Sequence, residues 1–161
     1  MPDVYVGLAS NVEPAAHLTR AVAALARQFA PIACSSVYRS PALGGSGRDY
    51  WNMVARFATD AAIDDVRASF ARIESAEGRD RSHADRCTLD LDLLLYGRRV
   101  DAERRLPRAD ILRRPFVLAP LAELAPTLGH PVTGEALIDC WQRVAASRPA
   151  LTHLGPLPSA A

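Results

Sequence analysis

Apolar and polar positions recur along the chain in patterns that mark out its elements. VYVGLAS (residues 4–10) is an apolar-rich run closing on small polar residues, which predicts a strand, and residues 11–14 read as a turn. In HLTRAVAALARQF, Leu18, Val22, Leu25 and Phe29 recur at a helical period. IACSSVYRS (residues 32–40) predicts a second strand. PALGGSGRD (residues 41–49) carries three glycines and predicts a loop. YWNMVARFAT (residues 50–59) alternates, with Trp51, Met53, Ala55 and Phe57 on one face and Tyr50, Asn52, Val54 and Arg56 on the other. Ile63, Val66, Phe70 and Ile73 form a helical stripe, and Gly78 is a natural stop. RDRSHADRC (residues 79–87) is a polar, arginine-rich loop, and CTLDLDLLLYG (residues 87–97) predicts a further strand. Residues 98–114 are charged and predict mostly loop. PFVLAPLAELAP opens with Pro115, suited to a first helical position, and closes at Pro126. EALIDCWQRVAA predicts a final helix, and residues 147–161, rich in Ala and Pro, predict a loose tail.

The order β-α-β-β-α-β, then helices, predicts an α+β fold. Its core is expected to be ferredoxin-like, two βαβ halves forming one antiparallel sheet with helices on one face, extended by extra C-terminal helices. A chain of 161 residues that is 49% apolar suits a single domain, here residues 1–146, followed by the tail at 147–161. No run approaches membrane-spanning length, and the N-terminus lacks the basic-then-apolar pattern of a signal peptide. The three cysteines are odd in number and scattered, which argues against a disulfide framework and against zinc. A cytoplasmic monomer with no membrane partner is the expectation. A net charge of +1 gives no global bias toward nucleic acid.

The strand at residues 87–97 changes the picture. Leu89, Leu91, Leu93 and Leu95 share one face, a core face; Thr88, Asp90, Asp92 and Leu94 share the other. Two carboxylates then stand side by side, roughly 6.5–7 Å apart along the strand. Like charges that close repel, and burying either needs a partner. One reading is a solvent-facing strand whose acids pair with arginines. The other is a hard-cation site, because Mg²⁺ takes one or two carboxylates and completes its shell with water and phosphate. The charge pattern bears on the choice. There is no lysine, so a P-loop and a lysine Schiff base are both excluded. Ten of the 19 arginines fall within residues 79–114, around the aspartates, and as a set they suit a polyphosphate clamp. The cluster also fits RNA, but aromatics are only 6% and no strand carries the stacking pattern of an RNA-binding sheet. His83 is the histidine nearest the arginines and reads as a solvated loop residue.

Six pieces, VYVGLASN, SSVYRSPALG, DYWNMVARFAT, RIESAEGR, TLDLDLLLYG and RRPFVLAPLAELAP, occur in an order that resembles the 6-hydroxymethyl-7,8-dihydropterin pyrophosphokinases of folate biosynthesis, from about residue 4 to about residue 137. The resemblance implies transfer of diphosphate from ATP to the pterin's hydroxymethyl group, with release of AMP. It implies that Asp90 and Asp92 hold two Mg²⁺ ions. Glu74, Arg79, Arg108 and Arg114 match the nucleotide side, and Arg81 stands where a mobile catalytic loop begins, with Arg86 near its end. Ser40, Pro41, Leu43, Tyr50 and Asn52 match the pterin pocket, and Phe116 an aromatic that stacks on the pterin. The partners implied are therefore two small molecules, ATP and a reduced pterin.

The chain departs from the family pattern mainly on the nucleotide side. RSHADRC is shorter than the usual loop and has no tryptophan. The arginine just before the TLDLD strand is Cys87, with Arg86 displaced by one position, and a one-residue slip turns a strand side chain to the other face. Arg108 replaces a histidine, and Ala9 replaces a glycine where the backbone approaches closely. Flanking Arg86 would lower the Cys87 pKa, so a reactive thiol stands as a minor alternative. The alternative reading is a divergent paralogue that binds pterin or nucleotide, or acts on a different pterin, without efficient transfer.

Overall fold

Val4, Val6 and Leu8 on one side of β1 (Asp3–Ser10) and Tyr5 on the other are all buried, so this strand is covered on both faces and lies inside the sheet. The structure, a computed structural model, describes residues 1–158. β4 (Tyr50–Ala58) and β5 (Asp90–Tyr96) flank β1, both antiparallel to it. β2 (Ala33–Cys34) and β3 (Val37–Ser40) pair with β4, and β6 (Thr152–Gly155) pairs with β3. The strand path runs β5-β1-β4-β3-β6. α1 (Pro14–Phe29) and α2 (Ile63–Ala76) cover one face, where Leu18, Leu25, Val66 and Phe70 pack on Val6, Met53, Phe57, Leu91 and Leu93. α3 (Asp110–Arg113), α4 (Pro115–Leu124) and α5 (Leu137–Ala145) cover the other, where Ile111, Leu118, Leu121 and Leu137 meet Tyr5, Val54, Leu94 and Leu95. The fold is thus a mixed α/β arrangement of an antiparallel sheet and, among the described residues, five helices. None of those helices is long and apolar enough to cross a membrane.

The predicted stripe of α2 and the alternation of β4 are both realised, and Gly78, at φ 76°, turns the chain after α2. Its N–H bonds the Ser75 carbonyl at 3.0 Å and that of Arg79 bonds the Glu74 carbonyl at 3.1 Å, which brings Arg79 back toward the sheet.

Three expectations are corrected. The strand predicted over residues 32–40 is broken at Ser35, whose hydroxyl accepts the Val54 N–H at 2.9 Å and so interrupts the backbone ladder. Leu95 does not continue the Leu91 and Leu93 face. Tyr5 pairs with Leu95 and Val6 with Leu93, so Leu94 is an extra residue in a β-bulge, and Leu94 and Leu95 both enter the second core cluster. The segment expected as a loose tail supplies β6, which pairs with β3 and becomes the edge strand on that side, and Leu157 packs on the core. The sheet therefore continues past the expected boundary at residue 146, and residues 159–161 of that tail lie outside the described residues.

Candidate active site

The sheet register places the chemistry. Asp90 pairs with Ala9, Ala9 with Asn52, and Asn52 with Tyr38, a row running across four strands. Ala9 is the small residue between the carboxylate and the amide, and it contributes to a cleft of about 560 Å³ at this end of the sheet. The cleft joins two unlike walls.

One wall is made by Ser40, Pro41, Leu43, Tyr50, Asn52 and Phe116. Asn52 is buried, and its Nδ2 donates to the Tyr38 carbonyl at 3.0 Å and to Ser40 Oγ at 2.9 Å. The Tyr38 carbonyl can only accept, which fixes the amide orientation and leaves Oδ1 as the acceptor that Asn52 brings to the cleft. Tyr50 lines the cleft while its neighbour Trp51 packs on the opposite core, as their alternation requires. Phe116, in the first turn of α4, belongs to neither core cluster and is half-buried against the cleft. Leu43 is 63% exposed, an apolar side chain on a glycine-rich loop at the rim.

The other wall carries Asp90, Asp92, Arg79, Arg108, Asp110 and Arg114. Burial, then the adjacent Asp90 charge, push Asp92 up to about 6, against the lowering effect of Arg108. Arg108 Nη2 lies 3.3 Å from Asp92 Oδ1, and its Nε donates to Asp110 Oδ2 at 3.2 Å. Behind this wall Glu74 is buried and pushed up to about 7, by desolvation first and by Asp90 second. No group of three or more His, Cys, Asp or Glu side chains converges on one point among the described residues. Asp90 and Asp92 are the two carboxylates of this wall that could hold a hard cation, whose other ligands would then be water and substrate oxygens.

Glu74, Arg81 and Arg86 are not brought to the cleft surface. Arg81 is exposed and tied back to Glu74 Oε2 at 3.2 Å. Arg86 is exposed, and its backbone N–H meets the His83 carbonyl at 3.3 Å. His83 is solvated and stands 4.0 Å from Asp80. Cys87, for which a thiol activated by Arg86 is the minor alternative, is buried with its thiol pushed up to about 11. Desolvation outweighs the nearby cation, and that cation is Arg79, whose Nη1 contacts Sγ. Arg79 Nε is buried without a hydrogen-bond partner among the described residues.

Asn11 and Asp110 are among the cleft residues that the sequence patterns do not single out. Asn11 is buried beside Ala9; its Oδ1 accepts the Cys87 N–H at 2.7 Å and its Nδ2 donates to the Asp85 carbonyl at 2.9 Å. An Asn that follows a strand already has an explanation as a turn former, so nothing singles it out. Asp110 follows Arg108 by two residues within a charged run, and only the folded chain shows which of its charges meet.

The 7,8-dihydro-6-hydroxymethylpterin-pyrophosphokinase family model matches residues 5–126. The 2-amino-4-hydroxy-6-hydroxymethyldihydropteridine pyrophosphokinase of Synechocystis sp. is 37% identical over 145 residues, covering 86% of this chain and 74% of that protein. Its counterpart from Haemophilus influenzae is 36% identical over 138 residues, covering 81% and 86%. Among solved structures, HPPK-DHPS in complex with substrates superposes with a TM-score of 0.73 at 8% identity, over 91% of this chain and 44% of that one. That likeness shows a shared fold, and the chain spans less than half the length of that protein. The family match runs through Asn52, both carboxylates, Arg108, Arg114 and Phe116, the residues that the cleft gathers; the chain belongs to the 7,8-dihydro-6-hydroxymethylpterin-pyrophosphokinase family.

Proposed function

We infer that the chain carries out the reaction of its family, transfer of diphosphate from ATP to the hydroxymethyl group of 6-hydroxymethyl-7,8-dihydropterin, with release of AMP, in folate biosynthesis. The observation that carries this reading is one cleft with an amide-and-aromatic wall facing an acidic pair and three arginines. In the reaction, the hydroxymethyl oxygen forms a bond to the β-phosphorus as the bond from that phosphorus to the α-bridging oxygen breaks.

Asn52 Oδ1 accepts from the N–H edge of the pterin, and Ser40 and Tyr38 hold the amide in that orientation. Phe116 and Tyr50 flank the ring, and Leu43 and Pro41 close its outer side. Arg79, Arg108 and Arg114 face the phosphates, where guanidinium forks suit phosphate oxygens. Glu74 and Arg81 support the nucleotide side, Arg81 leaving Glu74 as the loop closes, with Arg86 following on the same loop. Asp90 and Asp92 hold Mg²⁺, two ions in this reading, which when bound neutralise the triphosphate and stabilise the attacking and leaving oxygens. Burial first, and the Asp90 charge second, lift Asp92, and a cation beside the pair would offset both, which supports a cation there.

The strand order β5-β1-β4-β3, with α1 and α2 as the two crossovers, supports a ferredoxin-like βαββαβ core carrying extra helices. The reading includes a cytoplasmic monomer acting on two small molecules, and the net charge of +1 supports a protein that does not seek nucleic acid.

The test mixes pure protein with ATP, Mg²⁺ and the pterin and follows AMP, with and without pterin. AMP that appears only with pterin and Mg²⁺ is the expected result. No AMP, with pterin still binding by calorimetry, would overturn the transfer reading and leave a pterin-binding paralogue.

A further inference from the structure

We propose that Asp110 is a positioning residue of the cleft: it holds Arg108 through Nε, so that the guanidinium does not close on Asp92 and the acidic pair stays open to a divalent cation. The proposal rests on the reading of Asp90 and Asp92 as a cation pair.

Arg108 is rooted beside the pair. Its N–H donates to the Leu94 carbonyl at 3.0 Å, two residues beyond Asp92 on β5. From there its side chain meets two carboxylates that are not equivalent partners. The contact to Asp110 Oδ2, from Nε at 3.2 Å, has hydrogen-bond alignment. The contact to Asp92 Oδ1, from Nη2 at 3.3 Å, is an ion contact without it. A free arginine fork next to a carboxylate closes on it with two parallel hydrogen bonds. Here Nε is committed to Asp110, so the side-on fork through Nε and Nη2 is closed to Asp92, and Arg108 meets Asp92 through Nη2 without a hydrogen bond. Asp110 is itself fixed, as the first residue of α3, and its carbonyl accepts the Arg114 N–H at 2.9 Å. It pairs with no other cation among the described residues, so its carboxylate serves Arg108 alone.

Two consequences follow. Without Asp110, Arg108 is released onto Asp92 and competes with a cation for the same oxygens. With Asp110, Arg108 stays in the cleft wall with its remaining N–H groups available to phosphate. Asp110 thus acts on the cation site through Arg108 and not by its own charge alone, which a double-mutant cycle separates.

The experiment titrates the nucleotide-free full chain with Mn²⁺, read by electron paramagnetic resonance, for wild type, Asp92→Asn, Asp110→Ala, Arg108→Ala and the Asp110→Ala/Arg108→Ala double variant. Thermal melts check that each is folded, and Asp110→Asn, which keeps the shape, replaces Asp110→Ala if that variant does not fold. The expected result is loss of binding in Asp92→Asn, weakening of about tenfold in Asp110→Ala, and less than about twofold further change when Asp110→Ala is added to Arg108→Ala. Unchanged affinity in Asp110→Ala, or equal weakening with and without Arg108, would overturn the positioning role while leaving the cation pair in place. Wild type that binds no Mn²⁺, or Asp92→Asn that binds as well as wild type, would overturn the cation reading and this proposal with it.

Discussion

Removing the Asn11 side chain by Asn11→Ala tests how the arginine-rich loop is held to the sheet. Asn11 is 4% exposed and pins the loop's end from both sides. Oδ1 accepts the Cys87 N–H at 2.7 Å, Nδ2 donates to the Asp85 carbonyl at 2.9 Å, and its own N–H bonds the Cys87 carbonyl at 2.9 Å. Alanine keeps only the last. Two side-chain bonds of about 1 kcal/mol each are lost, and the Cys87 N–H is left buried and unpaired, so the loss of stability is about 3 kcal/mol. For a chain of this size that lowers the melting temperature by roughly 6–12 °C. Urea denaturation gives the free energy, and hydrogen exchange at the Cys87 amide shows whether the opening is local. Asn11→Asp keeps the acceptor for Cys87 but sets a carboxylate against the Asp85 carbonyl, and is expected to fall between wild type and Asn11→Ala. Activity should fall as well, because Arg79 meets the thiol of the same Cys87. A loss of stability under about 1 kcal/mol would refute the pin, since it would mean that water satisfies the Cys87 N–H equally well.

The remaining predictions address single groups. Asp92→Ala is expected to abolish turnover and leave pterin affinity within a few-fold; equal loss of both in calorimetry and AMP release would count against a cation role. Arg81→Ala should slow the single-turnover chemical step more than it weakens ATP binding, and the reverse order would place Arg81 in ground-state binding instead. Glu74 is pushed up to about 7 and Asp92 up to about 6, so over roughly pH 4–7 the unfolded chain is the more ionised state and these groups' contribution to stability declines as pH rises. In EDTA, Glu74→Gln should flatten that decline in urea midpoints; a slope identical to wild type contradicts the assignment. With a disulfide reagent at about pH 8, exposed Cys34 should react in the native protein while buried Cys87 and Cys140 do not; the Cys87 thiol, pushed up to about 11, is ~0.1% thiolate there. A second fast-reacting thiol would show that the loop opens.

The parts of the fold that were legible in the sequence are those decided within one element. The stripe of Ile63, Val66 and Phe70 needs only its own helix to be buried, and Pro115 needs only the missing N–H of a first turn. The bulge at Leu94, the break at Ser35 and the strand at residues 152–155 depend on a partner's register or free edge, which periodicity does not encode. The site divides in the same way. Asp90 and Asp92 are two apart on one strand, and alternation alone sends them to one face; that Asn52 joins them there is set by the register of β4 and β5 on β1. The arginines between α2 and β5 sit on no regular element, so nothing local aims them. The one-residue slip expected at Cys87 is realised there: Cys87 turns inward and Arg86 turns to solvent. The guanidinium at this part of the cleft comes instead from Arg79, eight residues earlier in the chain, carried in by the turn at Gly78 and set against the Cys87 thiol. A neutral thiol is a weaker acceptor than a carboxylate, and Arg79 keeps an Nε with no hydrogen-bond partner among the described residues. In the function proposed above, a cation held so lightly exchanges its partner for a phosphate oxygen, so that with Cys87 in place of a loop arginine Arg79 would be the one to meet the nucleotide.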